Sequence, residues 1–258
     1  MKALGIDMNE SGFDQHLKKR ILRSTALFCL LLTLVNSLGL KLFFSYEVDG
    51  NAFYGSFSVL IESAIRFFEI IAVYAGYAAM VWSLFRFGPA ETLPFALVNA
   101  GCVLLSLLCA LAVSYFCTTP ALFSKNFMWF LSQLLLNLVL NLLILGLVWL
   151  AAAAVRYRAV RKGKDDFALG MKLFALRRPV PRAFFFTSLL CVSVTLGQDV
   201  YQTVVDLTTY GPPVNMTELV YLIRPYAEVL IYFFVGYCVL FAAGALFEHW
   251  DERGAAQA

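Results

Sequence analysis

The chain has 258 residues, 61% of them hydrophobic and 14% charged, with a formal net charge of +3. A soluble domain carries about 45–50% apolar and about 25% charged residues, so this composition excludes an ordinary soluble enzyme. The slight positive balance reads as a membrane topology signal, with no nucleic acid partner implied.

Six apolar runs occupy residues 21–44, 59–85, 93–116, 127–155, 183–205 and 219–247. Each reaches the roughly 20 residues that cross about 30 Å of hydrocarbon. Backbone in lipid must satisfy its own hydrogen bonds, so the runs predict helices. The alternating strands of about ten residues that build an outer-membrane barrel are missing. The fold class expected is therefore an all-α polytopic membrane protein with six transmembrane helices. If both ends are cytoplasmic (N-in/C-in), sixteen of the 20 Lys and Arg residues fall on that side. Lys41, Arg66, Lys125 and Arg224 are left for the outer side or the membrane. The expected location is the cell membrane, of the bacterial inner-membrane type. Asp7, Glu10 and Asp14 near the start, and the length of the first run, argue against a cleavable signal peptide.

In chain order, residues 9–20 predict a short interfacial helix that leads into Lys18, Lys19, Arg20 and Arg23. A hairpin over 17–85 follows, then a middle hairpin over 93–155. The loop 156–182 is the largest basic piece between spans, and Asp165-Asp166 could cap a second interfacial helix over 167–176. A last hairpin covers 176–247. Both basic flanks would rest on anionic headgroups of the bilayer.

The first and last hairpins look like copies. Leu17-Lys18-Lys19 with Arg23 is matched by Leu176-Arg177-Arg178 with Arg182, and Leu38-Gly39 by Leu196-Gly197. Gly39 to Arg66 and Gly197 to Arg224 are the same 27 positions apart. Spans 1–2 and 5–6 would then form a parallel duplication flanking spans 3–4, with a site between the copies.

Depth counting places Lys41, Arg66 and Arg224 in one layer near the outer boundary, together with Glu69, Asp199 and Glu228. Glu62, Arg66 and Glu69 share one helix face, and Arg224 and Glu228 are an i, i+4 pair next to Pro225. Charges are costly in lipid unless paired or wetted, which makes these seven residues the candidate substrate or ion-pair layer. Snorkelling arginines with partners at the membrane rim are the competing reading. In the middle hairpin, Asn99 is the only strongly polar residue of span 3, while Gln133, Asn137 and Asn141 form an amide stripe on span 4. Such amides commonly bond across helices.

Catalytic patterns are scarce. His16 and His249 are the only histidines, too few for a metalloprotease pair, and neither a metal nor a cofactor is expected. Glu62 and Arg66 resemble the glutamate–arginine motif of intramembrane CAAX-type proteases, but those enzymes also require membrane histidines. Cys29, Cys102, Cys109, Cys117, Cys191 and Cys238 contain no C-x-x-C pair. The layout of six spans with both ends inside resembles ABC-2-type permease subunits. That likeness implies a cytoplasmic ATPase or another membrane subunit as partner and assigns no residue a role. The expected function is a transporter or permease subunit for a small polar or charged solute. A non-transporting scaffold or accessory subunit is the second expectation, and a lipid-modifying enzyme a remote third.

Overall fold

The computed structural model describes the backbone of residues 8–47, 54–117, 120–163, 175–212 and 216–255, and the side chains of most of them. Six helices account for almost all of it: α1 (Met8–Glu47), α2 (Tyr54–Arg86), α3 (Leu93–Cys117), α4 (Pro120–Arg161), α5 (Pro179–Tyr210) and α6 (Met216–Ala255). No strand occurs among the described residues. Among the described residues, four stretches are long and apolar enough to cross a membrane: Pro89–Cys109, Leu138–Arg161, Pro179–Thr209 and Leu222–Gly254. A shorter apolar stretch, Ile70–Arg86, belongs to α2. The chain is thus a helical bundle of membrane type.

Local chemistry sets the helix ends. After α2, Gly88 takes φ 96, a left-handed conformation that favours glycine, and a 3-10 turn over Pro89–Glu91 leads into α3. Pro179 occupies the first turn of α5, where a missing N–H costs nothing. Gly211, at φ 84, closes α5 by donating its N–H to the Leu207 carbonyl. Helix α6 continues through Pro225. Residues 9–20 are the opening turns of α1, which runs unbroken from Met8. Leu17 and Ile21, one turn apart, are buried in the core and draw this segment onto the bundle. The interfacial helix expected over 167–176 lies mostly outside the described residues.

Helix α2 touches all five other helices, which surround it in the order α1, α3, α4, α5, α6 and back to α1. The consequence is a run from Tyr74 to Phe85 in which every residue is buried. Small side chains make this possible: Ala75, Ala78 and Ala79 are buried, and a Cβ on Gly76 would collide with the Asn99 amide of α3. A Cβ on Gly236 of α6 would likewise strike the Tyr74 ring. With lipid as apolar as leucine, such close backbone approach is what holds membrane helices together. Aromatic contacts reinforce it, with Trp82 and Phe247 ring centroids 5.9 Å apart between α2 and α6. Inter-helix hydrogen bonds within the bundle include Ser188 Oγ donating to the Phe233 carbonyl at 3.0 Å and Cys29 Sγ to the Ala72 carbonyl at 3.4 Å.

Candidate functional site

The six helices bring their basic ends together. Arg86, last residue of α2, donates through Nε to Asp251 of α6 at 2.8 Å. A terminal nitrogen of the same guanidinium bonds Asp14 of α1 at 2.9 Å. Lys18 pairs with Glu91 of the 3-10 turn, and the Arg20 guanidinium lies 4.5 Å from the Trp250 ring centroid. Trp149 Nε1 of α4 donates to Thr92 Oγ1 at 2.9 Å, and Thr92 Oγ1 donates to the Pro89 carbonyl. Chain segments far apart in sequence are thereby tied at one level. A surface cavity of about 560 Å³ beside Arg86 includes Asp14, Lys18, Lys19 and Glu91 in its lining, and of these Asp14, Lys18 and Glu91, like Arg86 itself, are partnered within the protein.

Among the described side chains, burial concentrates toward the basic end: starting from the level of Arg20, Arg86 and Trp250, nearly all the buried ones lie within about 20 Å of it. Toward the far end, α5 and α6 expose Tyr201, Val204, Ile223 and Leu230, and Val229 is the exception as a buried residue there. Arg224 and Glu228 sit in this region. Arg224 Nε donates to Glu228 Oε1 at 2.6 Å, and their side chains are 40% and 25% exposed. Tyr232 donates to the other Glu228 oxygen at 3.3 Å. Tyr226 donates to Thr203 Oγ1 at 2.8 Å, linking α6 to α5 beside the pair.

The structure therefore brings together Arg224 and Glu228 from the candidate layer. Asp199 is half-buried on α5 and engaged by the protein. The side chains of Lys41, Glu62, Arg66 and Glu69 lie outside the described residues, as do those of Gln133 and Asn137. Asn141 is half-buried and engaged, on a helix whose Leu135, Leu136, Leu142 and Leu143 are exposed. Among the described residues no cluster of three or more His, Cys, Asp or Glu could hold a metal ion.

Two features escaped the sequence reading. Arg86 counted there only as a topology charge, although it is the hub of the basic end. Its partners lie 72 and 165 positions away, where no spacing rule reaches. Asn99 was visible as a lone amide, but its burial to 4% against Gly76, with Nδ2 unpartnered, is a tertiary fact.

No family model, curated protein or solved structure matches the chain. Its class is set by architecture alone: an all-helical protein whose apolar helices are of membrane-spanning length.

Proposed function

We propose that the protein is a membrane transporter or permease subunit for a small polar or charged solute. In this reading all six helices span the bilayer, both ends are cytoplasmic, and an outward-facing charged site lies between the α1–α2 and α5–α6 hairpins. The supporting observation is the contrast between the basic end and the ion pair of α6. The basic end is closed by the Arg86 hub over a dense core, whereas Arg224 and Glu228 stand half-exposed toward the other end of the bundle. A bundle tied shut at one end, with an accessible charged pair toward the other, suits alternating access to a solute. Arg224 would attract an anionic group, and Glu228 would hold the arginine in place when the site is empty.

A scaffold or accessory subunit is favoured by one different observation. Helices α3 and α4 present exposed leucines along much of their described length, a surface that another subunit's spans could cover as well as lipid.

Purification from native membranes separates the two readings, because an ATPase that co-purifies supports a permease and another integral protein supports the scaffold. The site itself is tested in proteoliposomes screened for uptake of small charged solutes. Arg224→Ala should lower uptake at least about tenfold, the scale of a lost charged hydrogen bond, with insertion and thermal midpoint unchanged. Uptake equal to wild type would remove the pair from the transport path.

A further inference from the structure

We infer that the cleft between the end of α4 and the start of α5 binds the phosphate of one anionic glycerophospholipid. This cleft, about 380 Å³ in volume, is independent of the far-end ion pair. Arg158 and Lys162 reach it from the last turns of α4, Arg177 from the residues before α5, and Arg182 from the first turns of α5. Among the described residues no carboxylate lines it.

The contrast with the neighbouring cavity is informative. There, Lys18 and Arg86 have carboxylate partners, whereas none of the four cations of the α4–α5 cleft forms an ion pair among the described residues. Arg158 and Lys162 are a like-charge i, i+4 pair, which disfavours the helix unless an anion lies between them. Arg182 uses its Nε to bond the Leu176 carbonyl at 2.7 Å. That contact fixes the guanidinium plane, and the two terminal nitrogens keep the fork geometry that suits phosphate oxygens. The start of α5 adds to the field, since Pro179 of its first turn lines the cleft and brings the positive end of the helix dipole near.

Phosphate chemistry alone would admit a free anion or a lipid. The walls favour the lipid. Ala159 and Phe186 give the cleft an apolar floor, and exposed Leu189 on α5, one turn beyond Phe186, continues that surface, where an acyl chain can lie. The cleft sits where apolar helix meets basic flank, the depth of a headgroup.

Native mass spectrometry of the full chain, loaded from vesicles of equimolar phosphatidylglycerol and phosphatidylcholine, tests the inference. One phosphatidylglycerol should be retained in preference to phosphatidylcholine. Its apparent affinity should fall at least about tenfold in Arg158→Gln with Arg182→Gln, the scale of a lost charge-assisted contact. Arg23→Gln with Arg253→Gln, exposed basic residues outside the cleft, should leave retention unchanged. Equal retention of the two lipids, or wild-type retention in the cleft variant, overturns the inference. Displacement of the lipid by millimolar inorganic phosphate also overturns it and reassigns the cleft to a free anion. The full chain keeps Asp165 and Asp166, so filling of the cleft by an internal carboxylate would appear as absence of retained lipid and would equally overturn it. If the first double variant does not fold, Lys162→Gln with Arg177→Gln replaces it at exposed positions.

Discussion

Helices α2 and α4 are both apolar, yet they occupy opposite environments. From Tyr74 to Phe85, α2 is enclosed on every side, whereas Leu135, Leu136, Leu142, Leu143, Leu147 and Leu150 of α4 stand exposed. Hydrophobicity cannot separate the two, because lipid tails and protein cores are equally apolar. Side-chain size can. The enclosed helix carries alanine, glycine and aromatic residues that let neighbours approach or fill the gaps between them, and the exposed one carries leucine that lipid can solvate.

The comparison breaks most readily at its tightest point. Ala78 is fully buried, and Ala78→Leu should cost about 3 kcal/mol through overpacking, read as a lowered thermal midpoint in detergent. A variant as stable as wild type would mean that α2 is not enclosed in the membrane. Next in size is Arg86→Ala, which removes the link from α2 to α1 and α6 and should cost about 1–2 kcal/mol, less at high salt. A loss that does not change with salt would point to lost packing against Phe87 in place of lost charge, since the guanidinium also lies 5.6 Å from that ring. The smallest effect belongs to α4. Leu143→Ala, at a position 59% exposed, should stay within about 0.5 kcal/mol of wild type. A cost approaching that of Ala78→Leu would show that the α4 face is covered by another protein copy or subunit.

Much of this contrast could be read before any coordinates. The apolar runs placed α3 almost to the residue and fell inside α4, α5 and α6, whose helices extend up to eight residues beyond them, because a bilayer demands long uninterrupted helices. The second run holds Ala72, Ala75, Gly76, Ala78 and Ala79, small residues that favour close helix packing. That α2 would sit at the centre was not legible, nor that α1 would neighbour α3 and α6. Neighbour relations follow from side-chain fit between helices distant in sequence, and periodicity within one helix carries no trace of them. The candidate layer was legible in the pair Arg224 and Glu228, where i, i+4 spacing on one helix suffices. Asp14, Arg86 and Asp251 were individually unremarkable charges, and only the fold makes them a unit.

The central position of α2 has a consequence for how the protein is made. It leaves the ribosome second, but the helix that completes its enclosure, α6, comes last of the six. Until then its alanine and glycine surface must wait in lipid, or against α1 and α3, without its final neighbour. The contacts that end the wait are among the most distant in the chain, with Arg86 and Asp251 separated by 165 positions. Assembly should therefore be slow and its last step decisive, a half-made bundle remaining vulnerable to quality control until α6 docks.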